Sequence, residues 1–362
     1  MTKKIRVLLV EDSKITLLIL RKILNSSPQI EVVGEARTGL EALEVIPHVQ
    51  PDVICTDLHM PQMDGLEFTS EVMTLYPRPI LVISSWVHEE DSSHVFQLLE
   101  AGALDIFPKP SVGLTMEDKL LNQELINKIQ ILSGVKVFKK KRKFNSQVKS
   151  LETFSSTSYL KPEIIAIGAS TGGPQAINEL FAQLPSNFPV PVICVQHICF
   201  GFLQGFIDWL ASRCQLPIQI AKPGDIPKSG IIYFPPEQHH LELNQRGQFI
   251  CSHSPPFDGH RPSVTVTFKS VAKFYGKAAV GILLTGMGKD GAEGMQCIAQ
   301  AGGLTIAQDE TTSAIFGMPK QAIDLGAAKL VLPIHAIAPK LLEVLQRQPP
   351  LSGKHYGSSN IS

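Results

Sequence analysis

The sequence predicts an α/β protein of two units, each an open, doubly wound and mostly parallel sheet. Three observations predict this class. Short apolar runs alternate with amphipathic stretches of helical spacing along nearly the whole chain. Between residues 133 and 161 that alternation stops, giving way to a basic run over 136–143 and small polar residues over 155–158. Acidic, hydroxyl and histidine side chains gather where apolar runs end, the edge on which open parallel sheets carry their sites.

In the first unit the spacing predicts strands over 5–10, 31–35, 53–55, 80–83 and 104–107. Helices follow over 14–24, 39–46, 65–75, 95–99 and 114–132. Five βα units of this length build one parallel sheet. Glu11 and Asp12 close the first strand, Asp57 the third, Ser84 the fourth and Lys109 the fifth. Carboxylates converging on one edge repel unless a hard cation neutralises them. Few protein ligands, all oxygen, suit Mg²⁺ better than Ca²⁺. Lys109, between Pro108 and Pro110, presents a fixed ammonium to a phosphoryl oxygen.

The connector cannot bury an apolar face and reads as a solvated linker that lets two folded units change their relative position. Its basic run also suits nucleic acid, but no helix-turn-helix, zinc-finger or aromatic RNA-binding signature stands beside it. The expected boundaries are 1–132, a linker over 133–161, a second domain over 162–348 and a polar tail over 349–362.

The second unit opens on an apolar run, 164–167, followed by Gly168-Ala169-Ser170-Thr171-Gly172-Gly173-Pro174 and a helical pattern. This is G-x-S-x-G in the strand–turn–helix context of a nucleophile elbow. The turn also resembles a phosphate or dinucleotide loop. Against that stand the missing G-x-G-x-x-G, the missing Lys-Ser/Thr pair, and no acid about 20 residues on to hold a ribose. Further strands are predicted over 191–195, 231–234, 240–243, 248–251, 279–284, 303–307 and 329–332. Those over 240–243 and 248–251 join as a hairpin through residues 244–247. Helices are predicted around Phe202–Leu210 and over 264–274, 292–301, 319–325 and onward to about 346.

Among the histidines of this half, His197 alone closes an apolar strand. Asp290 closes another strand within the glycine-rich loop Thr285-Gly286-Met287-Gly288-Lys289-Asp290-Gly291. Ser170, His197 and Asp290 are therefore the candidate nucleophile, base and orienting acid, and triads are recognised by role, not chain order. Backbone N–H groups of Thr171 and Met287 are the candidate oxyanion donors.

Composition narrows the classes. A length of 362 residues with 44% hydrophobic content suits packed domains and excludes disorder. Formal net charge is zero, so no global field favours nucleic acid or acidic lipid. The apolar run at the N-terminus is too short for a signal peptide, and no stretch approaches the ~20 apolar residues of a membrane span. Six cysteines without C-x-x-C spacing predict free thiols in a reducing cytoplasm and no zinc site.

Residues 5–130 resemble a response-regulator receiver domain, flavodoxin-like in fold, through Val7–Asp12, Asp57–Gly65 and Pro108-Lys109-Pro110. The resemblance implies Asp57 as phosphoacceptor, Mg²⁺ on Glu11, Asp12 and Asp57, and phosphoryl contacts from Ser84 and Lys109. It departs at Ile106, where the family often has an aromatic switch residue. Residues 163–346 resemble the chemotaxis protein-glutamate methylesterase (CheB) family. The matching stretches are Ile167–Pro174, Gln196-His197, His260–Val264 and Leu284–Gly291. That resemblance implies hydrolysis of γ-glutamyl methyl esters on chemoreceptors, releasing methanol, and deamidation of receptor glutamines, with no cofactor for the esterase step. It implies a chemotaxis histidine kinase as phosphodonor, methyl-accepting chemoreceptors as substrates, and a receiver covering the cleft until Asp57 is phosphorylated. Two departures, Ile198-Cys199 for Met-Pro and Thr265 for aspartate, are expected to line the cleft without touching the triad. The alternative from another class is a receiver joined to a non-catalytic module that binds a nucleotide or a partner.

Overall fold

The computed structural model describes residues 3–85, 92–110, 116–135, 137 and 161–346. The connector's basic and serine-rich stretches, Val137 aside, and the polar tail lie outside the described residues.

The first sheet is all parallel, in the order β2-β1-β3-β4-β5: Ile30–Ala36, Ile5–Val10, Val53–Thr56, Ile80–Ser84 and Asp105–Pro108. Helices α1 (Lys14–Asn25), α2 (Gly39–Val49), α3 (Gly65–Leu75), α4 (Ser92–Ala101) and α5 (Met116–Leu132) cover both faces. Local chemistry sets their starts: the Ser13, Thr38 and Asp64 side chains cap α1, α2 and α3 by accepting from Thr16, Glu41 and Glu67 amides. β1, β3, β4 and β5 run as near-continuous apolar strands because helices bury both faces. β5 turns Phe107 into one apolar cluster of the receiver, while Ile106, also buried, joins the cluster that continues into the second unit.

The second sheet has seven parallel strands. From one edge they are β14 (Leu330–Leu332), β13 (Leu304–Gln308), β12 (Ala279–Leu283), β6 (Ile164–Ala169), β7 (Val192–Gln196), β9 (Ile232–Phe234) and β8 (Ile218–Ile220). A separate antiparallel hairpin pairs β10 (His240–Leu243) with β11 (Phe249–Ser252). The helices are α6 (Gly173–Phe181), α7 (Leu203–Ala211), α8 (Val264–Tyr275), α9 (Ala292–Gln300), α10 (Met318–Asp324) and α11 (Ile334–Gln346). Edge strand β8 escapes a reading by pattern: three residues after a proline, two half-buried around an exposed Gln219, are too few to carry a periodic signal.

The two units meet through α4, β5 and α5 of the first. Phe96 of α4 packs on Phe206 and Trp209 of α7, ring centroids 5.5 and 5.7 Å apart. Glu100 accepts from Trp209 Nε1 at 3.0 Å and pairs with Arg213. Gln175 of α6 donates to the carbonyls of Leu99 and Ala103, capping the end of α4. One apolar cluster therefore runs through both units.

Candidate active site

Three neighbouring strands, β12, β6 and β7, deliver the candidate triad residues to one edge. Ala169 stands opposite Gln196 and Gly168 opposite Leu283, so Ser170 and His197 each lie one residue past a register pair. Strands in a sheet lie about 4.8 Å apart, which brings the two chain ends side by side. Ser170 N–H donates to Thr285 O, and His197 N–H to Ala169 O. Gln196, fully buried, ties both turns: its Nε2 donates to Ser170 O at 2.9 Å and His197 O at 2.8 Å. Gly173 is required here because a Cβ would lie 2.0 Å from Gln196 Oε1. Gly172 starts α6 at φ +75°, a backbone glycine adopts freely.

Asp290 is 1% exposed and holds His197 Nε2 at 2.9 Å through Oδ2. It also sits on the N-terminus of α8: Val264 and Thr265 amides and Ser263 Oγ donate to it at 2.8–2.9 Å. Ser263 caps the same helix by accepting from Val266 N–H. Its own amide donates to His240 Nδ1, while His240 Nε2 meets Pro255 O. Burial opposes the Asp290 charge, but the His197 bond and the Thr265 amide outweigh it and depress the carboxyl far below its usual range.

With Nε2 donating to Asp290, His197 Nδ1 carries the lone pair. That atom is buried and accepts no hydrogen bond among the described residues. Ser170 and His197 both line a cavity of about 810 Å³, whose facing wall comes from the receiver: Asp105, Ile106, Glu124 and Lys128. Thr171 and Met287 line it too. Their loops are tied together where Thr285 Oγ1 donates to Thr171 O, and Gly286 N–H ties the Met287 loop to Ile315 O. A serine hydroxyl and an imidazole lining one cavity, with a buried carboxylate bonded to the imidazole from behind, can carry acyl transfer.

One expectation is corrected. Thr265 touches Asp290 through its amide, and its buried hydroxyl accepts from Gly291 N–H at 2.7 Å instead of lining the cavity. Ile198 and Cys199 do line it. Gln196, Ser263 and His240 support the site without having been singled out; their partners are backbone groups or side chains far along the chain. Of the other histidines, His260 stacks on His197.

The receiver end is compact. Lys109 Nζ lies 2.7 Å from Asp57 Oδ2 and 2.9 Å from Glu11 Oε2. Carboxyl oxygens of Glu11, Asp12 and Asp57 lie within 4.8 Å of one another. Burial first, then the Asp57 charge, raises Glu11 to about 7, with Lys109 opposing. Burial works against the Lys109 ammonium, but the two carboxylates keep its pKa above the ordinary lysine value. Ser84 is buried at the end of β4, and its carbonyl accepts from Lys109 N–H at 2.8 Å. Protonation-prone, crowded oxygens of this kind fit a small divalent cation.

No helix among the described residues is long and apolar enough to cross a membrane. All six cysteines are free.

Residues 165–341 match the family described as CheB methylesterase, and residues 7–123 the response regulator receiver domain. The chain is 36% identical over 344 residues to a protein-glutamate methylesterase/protein-glutamine glutaminase of Nitrosospira multiformis, covering 94% of this chain and 97% of that one. It is 39% identical over 346 residues to a protein of the same name, numbered 1, from Syntrophus aciditrophicus, covering 94% and 98%. A Pyrococcus abyssi protein of that name is 36% identical over 353 residues, covering 95% and 94%. With the strand-end serine, histidine and aspartate in place and a receiver ahead of them, this chain belongs to the CheB methylesterase family.

Proposed function

We propose that this chain hydrolyses γ-methyl esters of glutamates on chemoreceptors and deamidates receptor glutamines, under control of phosphorylation at Asp57. The observation that carries it is the bond from His197 Nε2 to the buried Asp290, which leaves Nδ1 without a partner among the described residues, on a residue that lines the same cavity as Ser170.

Ser170 Oγ attacks the ester carbonyl carbon while its proton passes to His197 Nδ1. Asp290 stabilises the imidazolium that forms. The carbonyl oxygen, now an oxyanion, takes hydrogen bonds from Thr171 and Met287 N–H, a contribution worth ~3 kcal/mol per donor. Collapse breaks the bond to the methoxy oxygen, which leaves as methanol with the proton from Nδ1. Water then attacks the acyl-enzyme with His197 again as base, freeing glutamate and Ser170. A glutamine side chain follows the same course with ammonia as the leaving group.

In the receiver, Asp57 takes a phosphoryl group from the chemotaxis histidine kinase, with Ser84 and Lys109 contacting its oxygens. Glu11, Asp12 and Asp57 would hold Mg²⁺, which neutralises charge on the transferring phosphoryl group. The cation has a measurable signature. Glu11 binds a proton more tightly folded than unfolded, so the metal-free receiver loses stability as pH rises from about 4.5 through about 7. Mg²⁺ is expected to raise the melting temperature more at pH 8 than at pH 6 and to release protons near pH 7. Calorimetry in buffers of different ionisation enthalpy measures both, and equal Mg²⁺ effects at the two pH values would remove Glu11 from the site.

The receiver face over the cavity supports control by occlusion: phosphorylation shifts the chain from docked to open. Glu100→Ala removes the Trp209 hydrogen bond and the Arg213 ion pair together. Those contacts are worth roughly 1.5 kcal/mol, about tenfold in the docking equilibrium. The unphosphorylated variant is expected to release methanol several-fold faster, with the phosphorylated rate unchanged. The chain is expected to work in the cytoplasm, where the kinase and the receptor signalling ends are reached.

The direct test incubates methylated chemoreceptor with the full chain and measures methanol, with and without a small phosphodonor and Mg²⁺. Release that rises with the phosphodonor is expected. Silence in both arms would leave the reading of a non-catalytic, partner-binding output module.

A further inference from the structure

The His260 ring lies on His197, centroids 3.9 Å apart and planes within 8° of parallel. Nothing in the triad chemistry accounts for it. Its placement is built from several independent contacts. Phe257 and His260 exchange both backbone hydrogen bonds, at 3.1 and 2.9 Å, around Asp258 and Gly259. These two residues have φ +48° and +83°, the pairing that an Asp-Gly hairpin turn supplies. Lys289 reaches Asp258 at 3.4 Å, tying that turn to the loop that carries Asp290. Arg261, next in the chain, donates to the carbonyls of His253 and Ser254. The chain then runs directly into Ser263, Val264 and Thr265, three of the donors to Asp290. A single six-residue segment therefore holds both the acid and the ring lying on the base.

A ring bonded at one nitrogen can still tilt about that bond. The His197 ring is fixed by Asp290 at Nε2 only, and tilting about that bond would move the unpartnered Nδ1. A parallel ring against one face blocks that motion. It also keeps water from that face when the imidazolium forms. We propose that His260 is a positioning residue for the esterase reaction, its ring plane holding His197 in the orientation that presents Nδ1 to Ser170. This rests on the reading of Ser170 and His197 given above.

The charges around His260 are consistent with a silent, flat brace. Burial and then the His197 charge hold its pKa down at about 4; Asp290 and Asp258 oppose the shift, and Lys128 of the receiver adds to it. His260 therefore carries no charge above about pH 5, and a ring without nitrogens should serve as well.

The test compares His260→Phe with His260→Ala in the full chain, saturated with phosphodonor and Mg²⁺, on methylated receptor. Losing the brace is expected to lower kcat roughly 10- to 100-fold in the Ala variant, as for a misplaced reacting group, with KM within twofold. The Phe variant should keep kcat within about threefold, with a pH profile of unchanged shape between pH 5 and 9. A second readout needs no substrate: the low-field proton shared by His197 and Asp290 should persist in the Phe variant and broaden by exchange in the Ala variant. An unchanged Ala variant, a Phe variant as slow as Ala, or a Phe variant with a moved acid limb would each overturn the proposal. Should Phe abolish the cooperative thermal transition, His260→Tyr offers the same face and the same decision. If no form releases methanol, the unsubstituted chain included, the functional reading fails, and the low-field proton still decides whether His260 braces His197.

Discussion

Replacing Ser170 by alanine is expected to abolish methanol release while leaving the fold intact. Removing the nucleophile of a serine triad costs on the order of 10⁶ in kcat. The side chain makes no hydrogen bond among the described residues, and its backbone contacts to Thr285 and Gln196 survive the change. The melting temperature should therefore stay within a degree or two, and methylated receptor should still bind. Hydrolysis retained above about one thousandth of the original rate would show that another group attacks the ester.

Asp290→Asn is expected to damage rate and stability together. An amide in place of the carboxylate no longer holds the imidazole with Nε2 protonated, a loss of roughly 10⁴ in kcat in triads of this kind. Here the damage goes further, because both carboxylate oxygens are occupied. His197, Ser263, Val264 and Thr265 all donate to Asp290. An Asn Nδ2 would confront at least one of these donors, and a buried donor left unpaired costs about 1–3 kcal/mol. The depressed carboxyl also sets a sign: its stabilisation is present above about pH 4 and is lost in stronger acid. The Asn variant should melt several degrees lower at pH 7, and the gap should begin to narrow only below about pH 4. A rate within tenfold of the unsubstituted chain would remove Asp290 from the reaction.

Much of this site was legible because parallel strands advertise their ends. A buried strand of β6 or β12 reads as an unbroken apolar run, so the first polar residue after it is conspicuous, as Ser170 and the Thr285–Gly291 loop are. The receiver carboxylates were visible for the same reason. What escaped depends on distance along the chain. Ser263 reads as an ordinary helix cap, and only folding shows that it also serves a carboxylate 27 residues on. Gln196 reads as the last residue of a strand, and its two carbonyl partners belong to turns that the sheet brings together. Thr265 reads as a cavity-wall residue, because nothing local says that an early turn of α8 points its amides at Asp290. The face that Ile106 presents likewise depends on a second domain lying against it.

The pairing of β6 with β12 joins Ile164 to Ala279, more than a hundred residues later in synthesis. As the ribosome releases the chain, the receiver completes its five strands before the first esterase strand is made, and domains fold in that order. The cavity cannot exist until β12 emerges and pairs with β6. By then the α4–β5–α5 face is already formed and tethered beside it. Each new molecule thus acquires the receiver wall of the cavity before the strands that complete the rest of it.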